Sequence, residues 1–151
     1  MINTKKGFTL IELLISISII GILVTIAAFG LQGSREAARD AKRKTDLQTI
    51  KSALELRYAD CADYPTPASG NSIPTNITGD GSPTQCAVAN VYLSNSPTDP
   101  QTARRYYYTR PTATSYILCT SLETAPNPAV DTSGCGSCGT GVTCNFKVSG
   151  P

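Results

Sequence analysis

Hydrophobic positions are distributed very unevenly along this chain. From Phe8 to Phe29 apolar side chains run almost without interruption, and the only charge among them is Glu12. Twenty-two helical residues span roughly 33 Å, enough to cross about 30 Å of hydrocarbon. The pattern therefore predicts a membrane-spanning helix over 8–29. It does not stop there. No proline occurs between Gln32 and Asp60, and Ala37, Ala41, Leu47, Ile50, Leu54 and Tyr58 return on one helical face. This predicts an amphipathic helix over 30–60 continuous with the first, ~80 Å from Phe8 to Asp60 at 1.5 Å per residue. Asp40 with Lys44 and Lys51 with Glu55 are opposite charges four residues apart, expected on the solvated face. Gly21, Gly30 and Gly33 are the weak points, each costing about 1 kcal/mol against alanine.

After Asp60 the periodicity changes. Residues 61–100 are rich in proline and turn formers and read as an ordered loop. Arg105–Thr109 and Ser115–Thr120 are β-rich runs separated by a plausible hairpin over 110–114. Val142, Cys144, Phe146 and Val148 alternate with polar residues and predict a third strand with one buried face. The fold class expected is α+β: a long N-terminal helix packed through its second half on a small antiparallel sheet. Residues 61–151 form the head.

Composition sharpens this picture at two points. Net charge is +2, and without Lys5 and Lys6 the basic and acidic side chains balance at eleven each, so no specific nucleic-acid partner is expected. All six cysteines (Cys61, Cys86, Cys119, Cys135, Cys138 and Cys144) lie in the head, where a small core needs covalent support. Six cysteines allow fifteen pairings; proximity along the chain favours Cys61 with Cys86. Cys135-Gly-Ser-Cys138 also fits a redox pair, or half of a zinc site completed by Cys144 and Cys119. There is no histidine, hence no common general base, which argues against an enzyme. Asp99 and Asp131, with Asn95 and nearby carbonyls, are sparse candidates for calcium; otherwise no cofactor is expected. Asn76-Ile-Thr78 matches a glycosylation triplet that is common by chance.

The basic residues Arg35, Arg39, Lys42, Arg43 and Lys44 follow the apolar span, so the positive-inside rule alone places the head in the cytoplasm. The six cysteines, read as a disulfide framework that implies an oxidising compartment, argue the opposite. We side with the cysteines, since Glu36, Asp40 and Asp46 offset the basic residues along the helix.

A carboxylate within an apolar span costs several kcal/mol if left alone, and Glu12 has a specific setting. The stretch Gly7-Phe8-Thr9-Leu10-Ile11-Glu12-Leu13-Leu14, after a short basic leader, resembles the class III signal of type IV pilins and type II secretion pseudopilins. The resemblance implies that residues 1–7 are a leader, cut between Gly7 and Phe8 by a prepilin peptidase that methylates the new Phe8 amine. A mature chain of 144 residues would result. It further implies a single-pass precursor in lipid of the inner (cytoplasmic) membrane, with the head outside. The helix would then pass into an extracytoplasmic, homopolymeric filament built with an assembly platform and minor pilins or pseudopilins. Within the filament Glu12 would meet the Phe8 amine of a neighbouring copy. Tyr64-Pro65 and Pro97-Thr98-Asp99-Pro100 resemble the major pseudopilin pattern. Many relatives carry proline where this chain has Phe29, so any helix break here rests on Gly30 and Gly33. The alternative is a bitopic, membrane-anchored binding module that never assembles.

Overall fold

A computed structural model describes residues 7–151, and of Phe29 the backbone alone; Lys5 and Lys6 lie outside the described residues. One helix, α1, runs over Leu10–Cys61 without interruption, ~78 Å of α-helix. It begins on a side-chain cap at Thr9 and meets no proline in 52 residues. It ends where Ala62 turns left-handed (φ 57°) and returns its N–H to the Tyr58 carbonyl at 2.8 Å. That is the helix-ending bond usually made at a glycine. The chain divides into two units, up to Glu36 and from Ala37 to Pro151.

From Leu10 onward the described residues of the first unit are helix. Among its described residues no side chain is buried, and Leu10, Ile11, Leu14, Ile17, Ile22 and Ile26 are all more than half exposed. Its hydroxyls turn inward on the helix instead. Ser16, Ser18, Thr25 and Ser34 each donate to a backbone carbonyl three or four residues back, at 2.7–3.0 Å. Such back-bonding satisfies a hydroxyl where no water is at hand. Gly21, Gly30 and Gly33 are accommodated within the helix, with open space around each.

In the second unit α1 packs on two antiparallel sheets. β1 (Ile77–Thr78) pairs with β2 (Val91–Leu93), and β3 (Tyr107–Thr112), β4 (Ser115–Thr120) and β5 (Phe146–Ser149) form a sheet in that order. Register is set by Tyr108 opposite Leu118 and Leu118 opposite Val148. Side chains alternate across a strand, so Tyr106, Tyr108, Tyr116 and Leu118 face Leu47, Ile50, Ala53 and Leu54 of α1. Tyrosine does the work of large aliphatics here, and each hydroxyl is anchored. Tyr106 donates to Asp46 (2.7 Å), Tyr116 and Tyr64 to Glu55 (2.8 and 3.1 Å), and Tyr108 to the Pro65 carbonyl (2.7 Å). The opposite sheet face carries Tyr107, Ile117 and Cys119, covered by Cys135, Cys138, Val142 and Cys144 from the C-terminal loop.

Several expectations change. β3 extends past a bulge at Arg110-Pro111 to Thr112, so the hairpin turn is only Ala113-Thr114. The loop over 61–100 contains the small β1–β2 sheet. The third strand begins at Phe146, not Val142. Phe146 and Val148 join the main core, while Val142 and Cys144 pack on the other sheet face. Disulfide chemistry holds Cys144 there, against the alternation read from the sequence.

The helix face also needed correction. Ala37 and Ala41 are exposed; the buried stripe is Asp40, Arg43, Leu47, Ile50, Leu54, Arg57 and Cys61. Asp40 and Glu55 therefore do not form surface pairs with Lys44 and Lys51. Both point at the head, because it supplies hydrogen-bond donors that water would otherwise provide.

Candidate functional site

In the first unit the site candidates Gly7 and Phe8 lie just before α1 and Glu12 in its first turn. Gly7 is exposed with nothing within 4 Å of where a side chain would begin, and Phe8 is 77% exposed. The bond between them is open to approach. Glu12 turns back on its own helix end. Its Oε2 accepts from the Thr9 N–H (2.9 Å) and hydroxyl (2.8 Å), while the Thr9 hydroxyl accepts from the Glu12 N–H at 3.3 Å. Thr9-Leu-Ile-Glu12 is thus a capping box, in which threonine and glutamate each satisfy the other's orphan N–H. The sequence reading missed Thr9, although the T-x-x-E spacing was legible. In a single chain Glu12 therefore has a local task, and its carboxylate stays at the surface.

In the second unit the strongest electrostatic feature surrounds Arg43, whose side chain is wholly buried. All five of its N–H groups are used. Nε and Nη2 hold Asp99 as a fork (2.8 and 3.0 Å), Nη1 donates to Asp40 (2.7 Å) and Glu123 (2.8 Å), and Nη2 also donates to Gln101 (3.2 Å). Asp40 also accepts the backbone N–H groups of Glu123 and Thr124, both at 2.9 Å. Arg39 adds a second fork to Glu123. The paired arginines, Arg39 foremost, pull the Glu123 carboxyl down to about 2. Burial alone would raise Asp40, but the Thr124 and Glu123 N–H groups and Arg43 outweigh it and the net shift is downward. Burial pushes the hydroxyls of Tyr64, Tyr106, Tyr108 and Tyr116 up, Tyr64 to about 12, where Glu55 reinforces the shift. A second helix arginine, Arg57, holds the Thr78 carbonyl, Asp63 and Asp80. These contacts tie α1 to the loop and the β4–β5 region by charge.

The calcium candidates have protein partners of their own. Asp99 is spent on Arg43, and Asp131 pairs with Lys147 at 2.8 Å and accepts from Ser133, which holds its carboxyl well below the usual range. Asn95 uses its N–H on the Asn76 side chain. These three residues thus have separate hydrogen-bond partners. The cysteines are all bonded: Cys61 with Cys86, Cys119 with Cys135, and Cys138 with Cys144. Cys135 and Cys138 belong to different bridges, so the redox-pair reading fails, and a zinc site lacks the thiolates it needs. The sulfurs of Cys61 and Cys86 lie near Asp80, but as a disulfide they are no metal ligands.

The chain matches the model of the prokaryotic N-terminal methylation motif over residues 2–28 and that of type II secretion system protein G over residues 31–125. Among similar proteins is the type II secretion system core protein G of Escherichia coli K12, 34% identical over 68 residues, covering 45% of this chain and 47% of that one. The protein of the same description from Pectobacterium carotovorum is 31% identical over 97 residues, 64% of this chain and 62% of its own. That of Vibrio cholerae is 35% identical over 66 residues, 44% of this chain and 45% of its own. The chain spans about half the length of most of the relatives it matches. No solved structure matches it. With the protein G model covering well over half of its residues, the chain belongs to the type II secretion system protein G family.

Proposed function

We propose that the protein is a structural subunit of a helical, type IV pilus-like filament, the major pseudopilin of a type II secretion-like machine. It is made as a single-pass inner-membrane precursor with residues 61–151 outside the cytoplasm. It is cut between Gly7 and Phe8 by a prepilin peptidase, methylated on the Phe8 amine, and polymerised through its N-terminal helix. The carrying observation is that helix itself: residues 8–28 are apolar and exposed, with one carboxylate at Glu12 just past an open Gly7-Phe8 bond. In lipid that surface is solvated; in a filament it meets identical helices. Glu12 then leaves its capping bonds with Thr9 and meets the Phe8 amine of a neighbour. Buried and paired, the two charges fix the register of the incoming copy. The partners are other copies of this chain, the peptidase, an inner-membrane assembly platform and minor pseudopilins. In this reading the protein is a building block, uses no cofactor and catalyses no reaction.

The N-terminal mass of the protein recovered from cells tests processing and methylation together. The expected product begins at Phe8 and is one methyl group heavier than the bare chain. An intact Met1 terminus contradicts the proposal and favours a membrane-anchored module that does not assemble. Gly7→Val should leave full-length precursor in the membrane, because the peptidase must approach a bond that glycine leaves unobstructed.

A further inference from the structure

Among the arginines of the second unit, Arg39, Arg43, Arg57 and Arg110 each pair with a carboxylate. Arg104 and Arg105, adjacent in sequence just before β3, pair with none among the described residues. Each is held along one edge only. Arg104 donates through Nη1 to the Ser121 carbonyl (2.7 Å) and hydroxyl (3.2 Å), and Arg105 through Nε to the Ser137 carbonyl (3.2 Å). The remaining N–H groups of both guanidiniums have no protein acceptor among the described residues. Arg104 and Arg105 border two cavities of about 450 and 410 Å³, which they share together with Thr102. Both volumes fall in the range of ligand sites. Gly139 packs its backbone so closely on Ala103 that a side chain there would meet the Ala103 carbonyl at 2.2 Å, which fixes the wall of the first cavity.

The lining indicates the ligand. Thr102 and Thr140 line the first cavity and Ser72, Thr75 and Thr98 the second, and the hydroxyls of these five make no hydrogen bond with another described residue. The first cavity has no apolar side chain larger than Ala103, so it lacks the anchor pocket that protein partners favour. Asp99 borders the second cavity, but its carboxylate is wholly buried against Arg43 and does not oppose an anion. Guanidinium forks match planar carboxylates, and free hydroxyls match a ligand with hydroxyls of its own. We propose that the paired cavities around Arg104 and Arg105 bind a polyhydroxylated carboxylate, the chemistry of a sugar-acid chain, with a carboxylate on the arginines and sugar hydroxyls in each cavity.

Calorimetric titration of the full chain in detergent with trigalacturonate tests this. Saturable binding is expected, at least tenfold weaker for Arg105→Gln and for the uncharged methyl ester of the trisaccharide, and several-fold weaker for Thr140→Val. Near-UV circular dichroism establishes that each variant keeps its head; Thr140 is exposed and makes no internal bond, so that variant serves if Arg105→Gln misfolds. Absence of saturable binding by the wild type overturns the proposal, as does unchanged affinity in folded Arg105→Gln. Tighter binding of triglutamate or of inorganic phosphate than of trigalacturonate overturns the sugar-acid assignment.

Discussion

The two units of this chain invert the usual relation between polarity and burial. Up to Glu36 nearly every large aliphatic side chain is exposed, Leu10 to 87%. From Ala37 onward four ionised side chains, Asp40, Arg43, Arg57 and Asp99, are among the most buried groups. Hydropathy therefore does not decide what is inside; available partners do. The first unit turns its hydroxyls onto its own backbone and leaves its apolar surface exposed, which the proposed function gives to lipid or to other helices. The head has few large aliphatics, and it closes its core with anchored tyrosines, three disulfides and two arginines whose N–H groups are met.

If that contrast is right, removing a charge from inside the head should hurt more than altering its surface. Arg43→Ala leaves Asp40, Asp99 and Glu123 crowded without their shared cation, and should destabilise the head by about 3–5 kcal/mol. Thermal unfolding followed by near-UV circular dichroism measures this cleanly, because all seven tyrosines lie in the second unit. Loss of a bridge should come next. Replacing Cys61 and Cys86 together by serine should cost about 2–5 kcal/mol by the same assay, and the unreduced protein should show no free thiol on titration with Ellman's reagent. A smaller, pH-dependent effect follows from Glu123. Its folded carboxyl titrates at about 2 against an ordinary 4.5, so its contribution is complete above 4.5 and is lost as pH falls towards 2. The melting temperature should be level from pH 7 to about 5 and then decline, and Glu123→Gln should lower the plateau and flatten the decline. The smallest change should be a gain. Ala62 holds a left-handed conformation that costs a residue with a side chain, so Ala62→Gly should stabilise the head by about 1 kcal/mol.

The long helix and the order helix, loop, strands were legible because apolar periodicity over fifty residues leaves few alternatives. The N-terminal signature was legible because it is local. Where the reading failed, the deciding partner was distant in sequence. Asp40 and Arg43 look like surface residues until Asp99 and Glu123 arrive from 56 and 83 positions away. The true stripe was visible in spacing, since Asp40 and Arg43 continue the three-and-four rhythm of Leu47, Ile50 and Leu54, but charge hid it. Cys144 was misplaced because a bridge to Cys138 overrides strand alternation. Arg104 and Arg105 gave no sequence signal, because what distinguishes them is that neither pairs with a carboxylate among the described residues.

The role of Glu12 in assembly is the centre of the account, and the capping box separates it from a purely local task. Glutamine can accept the Thr9 bonds and keep the helix end, but it carries no charge. Glu12→Gln should therefore be cleaved, insert and fold normally, yet yield as little filament as Glu12→Ala when filaments sheared from cells are quantified. Wild-type filament from Glu12→Gln would contradict the account: it would show that the carboxylate serves its own helix end and pairs with no neighbour.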